Sequence, residues 1–122
     1  MDMLLSPVEN NRQYEEPKFW LNFLHTNIET LANATNLPIS SLRGKDRIRS
    51  PKVQNRLRDV HAILISVSPW FQSMDAAWLW FRSAPLPGFN NMSPSEVLSI
   101  YDDDGVALIQ KHIRRKKFGG FA

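Results

Sequence analysis

Between two Ser-Pro pairs, Ser50-Pro51 and Ser68-Pro69, the chain spaces Val53, Leu57, Val60, Leu64 and Val67 three or four residues apart. That period gathers all five side chains on one face of an α-helix, whereas a strand alternates every second residue. Ser50 supplies a hydroxyl N-cap with proline in the first turn, and Ser68-Pro69 ends the segment.

The rest of the chain reads in the same way. Pro17 opens a first helix through "PKFWLNFLHT", whose apolar residues are Phe19, Trp20, Phe23 and Leu24. Two short helical pieces follow in "IETLANATNLPISSLRG". Ser73 caps "SMDAAWLWFRS", with Asp75 in the first turn, where negative charge favours the helix dipole. Ser93-Pro94-Ser95-Glu96 has the reciprocal pattern of a capping box, and "DDDG" stands at the mouth of a last helix containing Val106, Ile109 and Ile113. Residues 1 to 16 read as a loose polar arm, although Ser6-Pro7-Val8-Glu9 can cap a short helix. Leu86-Pro87-Gly88-Phe89 fits a type II turn with Gly88 at positive φ, and Asn90 and Asn91 tolerate left-handed backbone. No segment reads as a strand. The expected fold class is all-α: a small helical bundle, with the arm and a helix-turn-helix in residues 1–67 and a second helical region in residues 68–122.

Composition narrows the function classes. With 43% apolar residues in 122, the chain has enough for a core. It has no cysteine, which excludes disulfides and cysteine-ligated metal and fits a reducing compartment. "MDMLLSPVENN" does not read as a secretory signal, and the apolar run around "AILISV" is too short to cross a bilayer. A cytoplasmic protein without membrane association is expected.

The net charge of +3 is unevenly laid out. From Arg43 to Arg58 seven basic residues face one acid, and Lys111 to Ala122 holds five basic residues and none. Asp59 to Gln110 holds six acids against Arg82 alone. Such basic blocks attract phosphates and acidic partners, or are simply solvated helix faces.

"LANATNLPISSL" supplies the parts of a helix-turn-helix in order. Ala32 allows close helix crossing, Asn36 can take the left-handed turn position, and Leu31, Leu37 and Leu42 can form the buried seam. The second helix then presents Ser40, Ser41 and Arg43, followed by Lys45, Arg47, Arg49 and Lys52, all suited to phosphate contact. An ordinary helical hairpin with a basic loop would use the same residues. Five aromatics, Trp70, Phe71, Trp78, Trp80 and Phe81, fall within a dozen positions. Trp78 and Phe81 share a helix face and Trp80 points elsewhere, which suits either a two-sided core or a protein interface.

Residues from about 70 onward, through "DAAWLWFRSAPLPGFNNMSPSEVL", "GVALIQKHI" and "GGFA", resemble the toxin-binding domain of the antitoxin Xre/MbcA/ParS family. Trp80 stands at the family's tryptophan and Ser93-Pro94 at its helix opening, while Asn90-Asn91 replaces a Gly-Gly pair. "IETLANATNLPISSLRGKDRIRSPKVQNRLRDV" resembles the family's helix-turn-helix half. The resemblance implies an antitoxin without cofactor or catalysis of its own. It would dimerise, bind its operator DNA, and cover the active-site entrance of a RES-type toxin that destroys NAD. The residues expected to meet the toxin are Trp80, Arg82, Phe89, Arg114, Arg115, Phe118 and Phe121.

The tail "KHIRRKKFGGFA" reads either as a helix end capped at Gly119, with basic residues favouring the dipole, or as a plug carrying Phe118 and Phe121 into the toxin's cleft. Asp102, Asp103 and Asp104 lack the alternating ligands and distant glutamate of a calcium loop and read as helix-opening charges. His25, His61 and His112 are scattered, with no metal or triad spacing. A stand-alone helix-turn-helix regulator, whose second half only dimerises, is the alternative.

Overall fold

The structure, a computed structural model, describes residues 15–119. It is all-α. The helices are α1 Pro17–Phe23, α2 Ile28–Thr35, α3 Ile39–Arg43, α4 Pro51–Val67, α5 Met74–Ser83, α6 Pro94–Tyr101 and α7 Asp103–Gly119. No strand occurs among the described residues, whose one β-type pairing is an isolated antiparallel bridge between Leu86 and Met92. The chain divides into two compact units between His61 and Ala62, inside α4.

In the first unit, α1 ends at Phe23, short of the Thr26 expected from sequence, because the chain turns at His25 into positive φ (53°). Asn27 then restarts it, its side-chain oxygen accepting from the Thr30 amide at 2.8 Å as an N-cap. Asn36 takes the left-handed conformation expected of it, with φ 58° and ψ 42°, and the Leu37 amide donates back to Ala32 O at 3.0 Å. Leu31, Ala32, Leu37 and Leu42 are buried, as the helix-turn-helix pattern requires, together with Trp20, Val53, Leu57 and Val60.

A buried polar network fixes the entry to this unit. The Gln54 side-chain amide grips the Glu15 backbone on both sides, accepting from its N–H at 2.7 Å and donating to its carbonyl at 3.0 Å. The Glu15 carboxylate accepts from Trp20 Nε1 at 2.9 Å and lies 2.9 Å from His61 Nδ1. Arg56, counted from sequence within the basic block, is only 4% exposed and donates through Nη1 to the Thr35 carbonyl at 2.9 Å. There it satisfies the end of α2, where cations are favoured.

In the second unit, Ser73 Oγ accepts from the Ala76 amide and caps α5. Trp78 and Phe81 stack at 5.9 Å on the buried face, one turn apart. α6 opens with a complete capping box: Ser93 Oγ accepts from Glu96 N at 3.2 Å and Glu96 Oε1 from Ser93 N at 2.8 Å. Val97, Leu98, Val106, Ile109 and Ile113 are buried. Each such aliphatic side chain contributes about 1.5–3 kcal/mol on burial. α6 and α7 meet closely at Gly105, where an added Cβ would stand 2.8 Å from the Val97 carbonyl oxygen.

The corner before α6 differs from the expected type II turn. Pro87–Phe89 forms a 3-10 turn, and the left-handed residues are Asn90 (φ 56°) and Asn91 (φ 62°) rather than Gly88. The reason lies in how the loop closes. Leu86 N donates to Met92 O at 3.0 Å, and Leu86 O accepts from Phe89 N at 2.9 Å and Asn91 N at 3.0 Å. Reaching Met92 from a 3-10 turn needs two consecutive left-handed residues, a conformation asparagine adopts more readily than most side chains.

Candidate functional site

Each unit carries one concave surface that gathers some of the sequence-selected residues and leaves others apart. In the first, Ser40, Arg43, Lys45, Arg47, Arg49 and Lys52 are exposed and Ser41 is half-buried. Not all are equally available. Arg43 Nη2 lies 3.3 Å from Glu29 Oε2, and Arg47 Nη1 reaches the Ser40 carbonyl at 3.4 Å. Both groups are well exposed, so the Arg43–Glu29 pair is worth little and is easily exchanged for another anion. Helix α3 has only five residues, about 7 Å of axis, which leaves little length for reading bases.

Arg43, Lys45 and Arg49 share a recess of about 830 Å³ with Lys18 and with two acids, Glu16 and Asp46. Pro17, Leu21, Ile28, Leu42 and Ile48 make up the apolar part of its lining. Acids among these cations weaken the local attraction for phosphate. Ser40, Ser41, Arg47 and Lys52 lie outside the lining.

In the second unit, Trp80 is half-buried and stands against two other aromatics. Its ring is edge-on to Trp70 (6.4 Å, 83°) and tilted against Phe71 (6.4 Å, 48°). These three rings, together with Pro85, Leu86 and Pro87 of the corner and His112 and Lys116 of α7, line a notch of about 260 Å³. Phe89 joins its margin through an edge contact with His112, ring centroids 5.9 Å apart. Burial, with the nearby Lys116 and Arg115 cations adding to it, lowers the His112 pKa below its usual 6.5, so the imidazole is neutral at pH 7.

The other sequence-selected residues of this unit lie apart from the notch. Arg82 stacks over Trp78, its guanidinium carbon 5.4 Å from the ring centre. Arg114 and Arg115 are exposed on α7, and Phe118 is 88% exposed. Phe121 lies outside the described residues. Sequence reading missed His112 and Lys116 as lining residues. Their spacing of four along α7, with Phe89 and Trp80 far away in the chain, gave only the local half of the signal.

Among the described residues no group of three His, Cys, Asp or Glu side chains is arranged to hold a metal, and no helix is long and apolar enough to cross a membrane. Comparison of the chain with protein-family models, curated proteins and solved structures returns no match.

Proposed function

We propose that this chain is an antitoxin: a cytoplasmic, dimeric protein that neutralises a RES-type, NAD-degrading toxin by covering its active site, and that represses its own operon through operator DNA. The observation that carries the reading is the aromatic notch. Three rings are left half-open to solvent, with two exposed prolines, beside a basic helix, in a unit whose core already holds Trp78 and Phe81. Half-exposed tryptophan beside cations is the composition of a protein interface rather than of an ordinary surface. On this reading Trp80 and Phe89 anchor the toxin, and Arg82, Arg114 and Arg115 make further contacts away from the notch. Phe118 and the residues after it enter the cleft that binds the anionic dinucleotide. Operator binding is assigned to Ser40, Ser41, Arg43, Lys45, Arg47, Arg49 and Lys52, chiefly as phosphate contacts.

The test is to express the product of an adjacent reading frame alone and together with this chain. The proposal expects growth arrest and loss of NAD from the neighbour alone, rescue on co-expression, and co-purification of the two proteins. A harmless neighbour that does not co-purify would refute it.

A stand-alone regulator is the second reading, in which the second unit serves only to join two copies through Leu79, Ile100 and Tyr101, 54%, 62% and 45% exposed on α5 and α6. Apolar side chains exposed in this way suit a contact between two copies. Both readings expect DNA affinity that falls steeply with salt, so only a partner protein separates them.

A further inference from the structure

We infer that the notch between Trp80 and Lys116 receives one large apolar side chain of a partner polypeptide, flanked by an aspartate or glutamate that pairs with Lys116. The inference rests on the reading of the second unit as the partner-binding half, and it names what that half recognises.

Size argues for a side chain. At about 260 Å³ the notch falls below the roughly 300–1,000 Å³ of sites that bury a whole cofactor or drug-sized ligand. Its walls are preformed. Trp70 and Phe71 brace Trp80 from two directions, so an incoming side chain need not order the rings itself.

The backbone of the corner rules out recognition by strand addition. Pro85 and Pro87 have no N–H, the Leu86 N–H is given to Met92, and the Leu86 carbonyl already accepts two amides. No ladder of donors and acceptors is left at this rim for an extended peptide, so specificity has to come from side chains.

Charge then selects among side chains. No acid lines the notch, and residues 111 to 118 carry five basic side chains and no acid. An ammonium ligand would be repelled by Lys116, and the carboxylates that usually assist aromatic cages are missing from the lining. Aromatic rings beside cations also serve single-stranded nucleic acid, but stacking needs an open ring face. Trp70, Phe71 and Trp80 are each half-buried and turned against one another, which favours an inserted side chain over a stacked base.

The experiment is selection of a random twelve-residue peptide library on the full chain, repeated on Lys116→Glu and Trp80→Leu. Circular dichroism and the melting temperature of each variant confirm that it folds. Wild type is expected to select peptides with a large apolar residue at fixed spacing from Asp or Glu. The Lys116→Glu selection should move to Lys or Arg at that position, with the original peptide weakened by about tenfold or more. Trp80→Leu should weaken the same peptide while keeping the acidic preference. Selection of nothing by wild type, an unchanged preference in Lys116→Glu, or displacement of the peptide by an oligothymidine strand would overturn the inference. Its failure is separable from that of the antitoxin reading. Rescue of a toxic neighbour by both variants, with no peptide selected, sinks the notch alone. An acidic-apolar preference with no toxic neighbour sinks the toxin alone.

Discussion

Glu15 and His61, forty-six positions apart, meet through a 2.9 Å contact between carboxylate and imidazole while each side chain is only 3% exposed. The same carboxylate holds the Trp20 indole, so one residue at the start of the described chain ties α1 to α4. Glu15→Ala removes the partner of two buried groups at once, the Trp20 indole N–H and the His61 imidazole. We expect it to destabilise the first unit by about 2–4 kcal/mol, measured by urea unfolding, and Glu15→Gln to cost less because it keeps an acceptor for the indole.

At Gly105 two effects oppose each other. Alanine favours a helix over glycine by about 1 kcal/mol. Its Cβ would, however, stand 2.8 Å from Val97 O and 3.1 Å from Leu98 Cα, both backbone atoms that cannot rotate away. Overpacking of this kind costs about 1–3 kcal/mol, so the clash wins. Gly105→Ala is expected to lower the melting temperature, and an unchanged or higher one would show that α6 and α7 have room to part.

The asparagine corner predicts a different pattern. Asn90→Gly and Asn91→Gly should leave stability within about 0.5 kcal/mol of the wild type, because glycine adopts left-handed backbone freely. Asn90→Val and Asn91→Val should each cost about 1–2 kcal/mol. Gly88→Ala should be tolerated, since nothing lies within 4 Å of its would-be Cβ and its φ is not positive. A type II turn would reverse that order, with Gly88→Ala the damaging change.

His112 gives the second unit an acid sensitivity. Its pKa is lowered in the folded chain, first by burial and then by Lys116 and Arg115, so below pH 6.5 the unfolded chain binds more protons there than the folded one. The stability tied to this group is fully present above 6.5 and is lost as pH falls through the folded pKa. His112→Gln should flatten the decline in melting temperature as pH falls below 6.5, relative to wild type.

Much of the architecture was legible because it is written locally. Ser50, Ser73 and Ser93 cap the helices they precede, Asn36 turns as its side chain allows, and the stripe from Val53 to Val67 is buried. What could not be read depends on partners distant in sequence. Arg56 is one more charge of a basic block until Thr35 is beside it, and His61 and His112 look idle until Glu15 and Phe89 are. The Pro-Gly rule failed at Gly88 because the bond from Leu86 to Met92 decides where the loop turns left-handed, and that bond is invisible to a four-residue motif.

On the proposed reading the second unit blocks a foreign active site, and the sharpest check is NAD consumption by the purified product of the adjacent reading frame, titrated with this chain and with its Trp80→Leu variant. Wild type is expected to abolish consumption at a fixed stoichiometric ratio, and Trp80→Leu to need a clear excess to do so. Undiminished NAD loss at saturating wild-type protein would overturn the antitoxin reading, and identical titrations for the two would remove Trp80 from the contact.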